Sequence, residues 1–551
     1  MAINQQPGSL LGQMMDCPLS ISGILSSAAR HHPQCQIISK RIEGDVHRYN
    51  TQDLELRAKK LAQALDKFNF EQGTRIATLA WNGYRHLEIY YGVSGSGLVC
   101  HTINPRLFQE QVAYIIEHAQ DQMVFFDVSF QGLVEQLKPL CPSVKYWVCL
   151  IDEYQSMRDS SGFINYEDLI AEQSGAYSWP VFDERTASSL CYTSGTTGNP
   201  KGALYSHRST VLHSYATALP DALSLSAMDT ILPVVPMFHV NAWGLPYSSL
   251  LVGANLVLPG NKLDGESLYE LIESQGVTFS AGVPTVWAGV LQYMKTQHLE
   301  FSKFRRVLIG GSACPPNMIT TFKDYGVDVI HAWGMTELSP LGTVARLKSS
   351  DAGKSTDEQE KILQKQGRVI FGVDMKIVNQ QGQSLPHDGQ AFGDLHIRGP
   401  WVIQNYFQAK QPMLINDWFP TGDVANIDPE GHMQITDRSK DVIKSGGEWI
   451  SSIEIENIAA GHPDVMMAAC IAIAHPKWDE RPLLIIEKSP HVNMSDESLK
   501  QNILEFLNGK IAKWWMPDDV VFIQKIPLTA TGKMQKLKLR EQFKHFQFQS
   551  T

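Results

Sequence analysis

Tyr192-Thr193-Ser194-Gly195-Thr196-Thr197-Gly198-Asn199-Pro200-Lys201-Gly202 follows an apolar strand end at residues 187–191, and its reading governs the rest of the chain. These eleven positions hold three glycines, four Ser or Thr hydroxyls and one Lys. Glycine lets backbone N–H groups approach an anion, and the hydroxyls and Lys supply further donors, so the stretch suits a loop wrapped around phosphates. A surface Ser/Gly linker is the bland alternative. A linker does not require this Lys, and it rarely follows a strand end. The spacing is not that of a Walker A loop, which after Gly195 calls for Gly at position 200, where Pro200 stands.

Outward from this loop the chain alternates between two periodicities. Residues 54–68 place apolar side chains at helical spacing, residues 75–80 read as a short strand, and residues 86–99 as a buried helix. Strands follow at 122–127 and 145–151, and again at 229–235, 256–258, 277–281 and 306–309. Alternating strands and helices predict an α/β domain with a largely parallel sheet. Residues 368–396 read instead as several strands with turns between them, a small β-rich subdomain. A polar stretch, 349–366, predicts a solvated loop and helix. Near residue 440 a new rhythm begins: a helix at 453–456, strands at 465–474 and 482–487, a helix from 497 and a strand at 520–527. The expected architecture is a large N-terminal α/β domain, residues 1–439, and a small α+β domain, residues 440–551. The glycines of Gly92-Val93-Ser94-Gly95-Ser96-Gly97 have the wrong spacing for a dinucleotide loop and predict close helix packing.

Composition narrows the class. The chain has 551 residues, of which 43% are hydrophobic and 19% charged, which is ordinary for a globular protein. Lys plus Arg number 47 against 57 Asp plus Glu, a formal charge of −10, and an acidic chain argues against nucleic acid as the main partner. The eight cysteines form no C-x-x-C pair and no zinc spacing, so they predict reduced, buried thiols. Residues 1–29 carry no Lys or Arg, which argues against an export signal, and no run of about 18 apolar residues predicts a transmembrane helix. The last four residues match no peroxisomal or lipidation signal. The expectation is a cytoplasmic protein, with peripheral membrane contact left open. No G-x-S-x-G elbow supports a serine hydrolase.

Residues 192–202 also resemble the signature loop of the AMP-forming, adenylate-forming enzymes: acyl-CoA synthetases, peptide-synthetase adenylation domains and luciferases. Further motifs of that family follow in its order: Trp333-Gly334-Met335-Thr336-Glu337, Thr421-Gly422-Asp423, Asp437-Arg438-Ser439-Lys440-Asp441, Lys444-Ser445-Gly446-Gly447-Glu448, and Pro527-Leu528-Thr529-Ala530-Thr531-Gly532-Lys533. The resemblance implies that a carboxylate is joined to the α-phosphate of ATP with release of pyrophosphate. Two anions must meet, so the barrier is largely electrostatic. By motif match, Glu337 and Thr193 are the Mg²⁺ ligands. Asp423 bridges the ribose hydroxyls and Arg438 contacts ribose and phosphate. Ser194, Gly195, Thr196, Thr197, Gly198, Lys201, Gly311, His331, Trp333, Gly334, Thr336 and Lys444 complete the implied ATP/AMP site. Lys533 is the implied catalytic lysine of a mobile C-terminal domain that turns about Lys440. Where the family usually has Tyr or Phe, this chain has Trp333, a bulkier stacking face.

Residues 236–243 and 444–450 are most similar to the fatty acyl-CoA synthetase branch. The resemblance places His239, Val240, Trp243, Gly310 and Trp449 around the acyl group, with Trp243 as an aromatic gate. No Arg or Lys lies within 236–243, which favours an apolar acid. Residues 11–15 and 85–91 resemble a subgroup that includes bacterial 3-(methylthio)propionate–CoA ligases alongside medium- and long-chain enzymes, so a short thioether acid is the alternative substrate. ATP, Mg²⁺ and CoA are the implied cofactor and co-substrates, and a homodimer the implied assembly. Competing classes are a luciferase-like oxidase, a peptide-synthetase adenylation domain and a non-catalytic nucleotide-binding protein. The last predicts loss of Lys201, Glu337 or Lys533, and all three are present. The basic run 533–540 could hold CoA phosphates, but its spacing predicts a solvated helix face.

Overall fold

The computed structural model describes residues 10, 12–152, 162–193, 199–438, 440–446, 448–490, 492–528 and 534–548, with only the backbone of Glu448 and Trp449. Among these residues the large N-terminal part is built on two mostly parallel sheets. One runs Ile164–Asn165, Tyr146–Leu150, Met123–Asp127, Arg75–Leu79, Val99–Thr102, Ala187–Tyr192 and Gly202–Ser206, with only the last strand antiparallel to its neighbour. The other has a parallel centre of Asp328–Gly334, Arg306–Ile309, Phe279–Gly282, Thr230–Pro233, Asn255–Leu258 and Gln36–Lys40, flanked by antiparallel edge strands.

Helices fill the space around these sheets. Thr51–Asp66 starts with a capping box at Asn50, and its apolar stripe buries Leu54, Ala58, Leu61 and Leu65. It lies against Tyr84–Gly95, every residue of which is buried. A Cβ at Gly92 would come within 2.9 Å of Leu61, so the glycine permits that helix contact, as its spacing predicts. The expected helix over 86–99 stops at Gly95, and Val99–Thr102 is a strand. Both segments are apolar and buried on all sides, so neither periodicity could separate them.

The β-rich subdomain extends beyond residue 396. It is an antiparallel sheet of Asp374–Val378, Phe392–Arg398, Phe419–Ile427 and Met433–Arg438. A separate sheet begins at Ile443–Ser445 and is dominated by the hairpin Val465–His475/Asp479–Lys488, with helices Ser452–Ala459 and Asp496–Leu507 packed on it. Its strand Asp519–Ile523 ends short of the expected residue 527.

Contacts cross the junction around Lys440. Ser452 N donates to Asp437 Oδ2 at 2.7 Å, and the Ser451 hydroxyl donates to the Thr436 carbonyl. The helix Lys536–Gln542 is solvated on the face of Leu537, Lys538, Glu541 and Gln542, as expected, but not at its first residue. Lys536 is buried, 2.7 Å from Glu456 Oε1 and 2.6 Å from the Ser452 hydroxyl, and Arg540 pairs with Asp441. All cysteines but Cys17 are buried free thiols. No helix among the described residues is long and apolar enough to cross a membrane.

Candidate active site

A cavity of about 250 Å³ opens where the parallel strands end. Ligand crevices in α/β sheets lie at the carboxyl ends of strands, because there the loops diverge and leave backbone groups free. Thr193 follows Ala187–Tyr192, Gly310 and Gly311 follow Arg306–Ile309, and Ala332, Trp333 and Gly334 end their own strand. His239, Val240 and Trp243 come from the segment after Thr230–Pro233, and Thr421 and Arg438 from the antiparallel sheet.

Part of the cavity lining is polar. The base of the glycine-rich loop is closed by Thr193 N donating to the Lys201 carbonyl at 2.9 Å and Lys201 N to Thr193 Oγ1 at 3.3 Å. Glu337 is buried and accepts a hydrogen bond from the Tyr406 hydroxyl, while the Lys201 ammonium lies 5.0 Å from the centre of the Tyr406 ring. Burial pushes the Glu337 carboxyl up, and the Tyr406 bond pulls it back toward the ionised form. Among the described residues no group of three or more His, Cys, Asp or Glu could hold a metal. Glu337 and the Thr193 hydroxyl are nevertheless hard oxygen donors in one cavity, which fits Mg²⁺ when phosphate and water supply the other ligands.

Trp333 carries the next layer. Its indole N–H donates to Asp423 Oδ2 at 2.9 Å, and Arg438 Nε lies 3.2 Å from Asp423 Oδ1. Asp423 is buried, so its carboxylate is held by two donors rather than by water. The large indole fits because residue 342 is glycine: a Cβ there would stand 2.7 Å from the ring.

The remaining lining is largely apolar and includes Leu223, Leu308, Ala332, Pro340 and Leu341 with Val240 and Trp243. Val240, Asn241, Ala242 and Trp243 all have positive φ, 47°, 50°, 50° and 56°, a single left-handed turn of four non-glycine residues. Each such residue costs about 1–2 kcal/mol, so the turn needs compensation. Asn241 provides it. Its Nδ2 donates to the Ser189 hydroxyl at 3.0 Å, and its Oδ1 accepts from Cys191 Sγ, Thr102 Oγ1 and the Tyr90 hydroxyl at 3.2–3.4 Å. The turn brings the Trp243 ring to 3.4 Å from where a Cβ on Gly310 would stand.

The structure therefore gathers Thr193, Lys201, His239, Val240, Trp243, Gly310, Gly311, Trp333, Gly334, Thr336, Glu337 and Arg438 around one space, with Asp423 bonded to two of them. His331 stands off it. The ring is buried, with Nδ1 2.9 Å from the Gln364 carbonyl and Nε2 accepting from Cys314 N at 3.3 Å, so it braces the turn after Gly311. Lys440 and Lys444 are exposed and do not line the cavity. Ser194, Gly195, Thr196, Thr197, Gly198 and Lys533 lie outside the described residues, as does the Trp449 side chain. Tyr406, Leu223 and the bracing role of Asn241 emerge only from the structure, whereas Asn199 lies in the glycine-rich loop already singled out.

The family model of AMP-binding enzymes matches residues 25–407, and that of the AMP-binding enzyme C-terminal domain matches residues 454–533. The chain belongs to the AMP-binding enzyme family. It is 52% identical over 538 residues to the 3-methylmercaptopropionyl-CoA ligase of Ruegeria lacuscaerulensis, covering 97% of this chain and 99% of that protein. It is 51% identical to the medium-chain-fatty-acid–CoA ligase of Ectopseudomonas oleovorans, covering 97% and 98%. Its fold matches the crystal structure of the anthranilate CoA ligase AuaEII in complex with anthranoyl-AMP with a TM-score of 0.84 at 23% identity, over 96% of this chain and 98% of that one.

Proposed function

We propose that this family member joins an apolar carboxylic acid to CoA through an acyl-adenylate, consuming ATP and releasing AMP and pyrophosphate. The observation that carries this reading is one cavity with two chemistries. Lys201, Glu337 and Arg438, paired with Asp423, contribute charge to a lining whose other members include Leu223, Leu308, Val240, Trp243, Pro340 and Leu341. A nucleotide phosphate and a carboxylate with a greasy tail meet in such a space.

In this reading the loop 194–198 and Lys201 receive the phosphates. Asp423 accepts from both ribose hydroxyls, held by Trp333 and Arg438. Glu337 and Thr193 would hold Mg²⁺, which when bound supplies charge neutralisation at the phosphates. Trp243 against Gly310 keeps water out of the acyl end, so the adenylate anhydride meets CoA rather than hydrolysis. Lys533 acts as a compact positive charge on the meeting anions. The unit 440–551 turns about Lys440 between the two half-reactions, removing Lys533 and admitting the thiol. The chain acts in the cytoplasm as a homodimer.

A fatty acid of medium to long chain is the favoured substrate, supported by the apolar wall and by the medium-chain ligase at 51% identity. 3-(Methylthio)propionate is the second reading, favoured by the 52% identity to a ligase named for its thioester. Mass spectrometry of reactions with a panel of acids tests the proposal. It expects acyl-adenylate without CoA and acyl-CoA with it. Adenylate that never passes to CoA would refute the ligase assignment.

A further inference from the structure

One apolar part of the cavity lining comes from a segment that no sequence motif marks. Leu223 lines the cavity, and it sits on an irregular stretch after the helix His207–Ala218. Ala222 and Leu223 are each 1% exposed. Buried backbone outside helices and sheets needs partners for its carbonyls. Here two arginines supply them. Arg306 Nη1 donates to the carbonyls of Leu223 and Ser224, both at 2.7 Å, and Arg346 Nε donates to the carbonyl of Ala222 at 3.1 Å. Arg306 is in turn paired with the buried Asp229.

The position of this clamp gives the depth of the site. Arg306 opens the strand Arg306–Ile309, whose other end delivers Gly310 and Gly311 beside Trp243. Four residues of strand span about 13 Å. Arg346 likewise follows the strand Leu341–Val344, which runs antiparallel to Asp328–Gly334 and so carries its end away from Gly334. Both clamping side chains therefore come from the ends of the strands far from the polar site. Together they hold the carbonyls of Ala222, Leu223 and Ser224.

We infer that Leu223 is the floor of the acyl site and sets the longest acyl chain accepted, with Arg306 and Arg346 as the positioning residues that keep the floor from yielding. A well-packed floor discriminates through overpacking, because a chain one or two methylenes too long must displace a backbone held by three charge-assisted hydrogen bonds. The ligand is the distal end of an unbranched, uncharged acyl chain. This inference rests on the ligase reading above and names the residue that gives it selectivity.

The test measures two things on wild type, Leu223→Ala, Leu223→Met and Arg346→Ala. One is CoA-dependent AMP release with linear acids from C3 to C18. The other is direct binding of non-reactive acyl-sulfamoyl adenosines of the same lengths, by calorimetry. Leu223→Ala is expected to raise kcat/KM at least tenfold for acids two to four carbons beyond the wild-type optimum, with the KM for ATP unchanged. Arg346→Ala is expected to flatten the length profile. Leu223→Met keeps the side-chain volume and is expected to fold and keep the wild-type cut-off. An unchanged cut-off in Leu223→Ala overturns the floor while leaving the ligase reading intact. If Leu223→Ala does not fold, a length profile in Arg346→Ala equal to wild type overturns it instead. A Leu223-dependent cut-off in analogue binding without any AMP release overturns the ligase reading and leaves the floor standing.

Discussion

Replacing Trp333 by Phe removes the indole N–H and part of the ring packed against Gly342, and the hydrogen-bond share of the cost can be worked from the structure. The indole N–H donates to Asp423 Oδ2 at 2.9 Å, and the carboxylate it serves is 4% exposed. Phe keeps a ring against Gly342 but has no donor. A hydrogen bond to a charged group contributes about 1.5–3 kcal/mol. The remaining partner, Arg438, has a half-exposed side chain, and ion pairs of that kind add about 0–1 kcal/mol. Arg438 therefore does not make up the loss. Because Asp423 is assigned to the ribose, the deficit falls on ATP. At 1.4 kcal/mol per tenfold, the KM for ATP in ATP–pyrophosphate exchange rises about 10- to 100-fold, with the KM for the acid unchanged. Calorimetric ATP binding should weaken by the same factor. A KM for ATP within twofold of wild type would refute the assignment of Asp423 to the ribose, whatever happens to the melting temperature.

Three further outcomes follow from other parts of the site. Tyr406→Phe deprives the buried Glu337 of its hydroxyl donor, so a Mg²⁺ titration of activity should shift to about tenfold higher Mg²⁺ with the acid KM unchanged; an unmoved titration contradicts the role of Glu337. Asn241→Ala leaves the left-handed turn uncompensated and is expected to cost about 1–3 kcal/mol in denaturant unfolding, with acid KM rising before ATP KM; equal stability would mean that Asn241 does not hold the turn. Burial holds His86, His207 and His331 down at about 4 and His213 at about 3. The unfolded chain protonates them near 6.5 while the folded chain does not, so these histidines lower stability as pH falls from 6.5 toward 4, by up to about 3 kcal/mol each. Buried Asp127 and Glu456, raised to about 7, act in the opposite sense, so the effect is read as the change in the pH 7.5-to-5 melting-temperature slope on His213→Gln, and an unchanged slope contradicts it.

What could be read in the sequence follows the physics of each element. The helix Thr51–Asp66 has a stripe and a cap, and both are visible in order of residues. The stretch from Tyr84 to Thr102 is buried throughout, so its break into helix and strand is decided by packing that sequence order does not display. The glycine-rich loop with Lys201 was legible from its own residue types, whereas Thr193, Glu337 and Asp423 were reached through the family resemblance, and the structure brings Thr193, Lys201 and Glu337 to one cavity with Asp423 bonded to its lining. Their support was not legible. Tyr406 lies in a loop 69 residues from Glu337, and nothing local to it signals a hydrogen bond to a buried carboxylate. Leu223 is an apolar residue among many, and only its two arginines single it out. Lys536 reads as solvated charge because its partner Glu456 lies eighty residues earlier. His331 sits two residues from Trp333 in one motif, yet its ring nitrogens are taken up by the Gln364 carbonyl and the Cys314 amide.

The most direct test of the central claim compares wild type with Lys533→Ala in the two half-reactions separately. Adenylation is followed as acid-dependent ATP–pyrophosphate exchange in the absence of CoA. Thioester formation is followed by supplying preformed acyl-adenylate with CoA. The account predicts that wild type performs both, and that the variant loses adenylation by at least a hundredfold while still converting the supplied adenylate to acyl-CoA. A variant that adenylates at the wild-type rate, or a wild type that shows no pyrophosphate exchange with any acid from C3 to C18 or with 3-(methylthio)propionate, would contradict it.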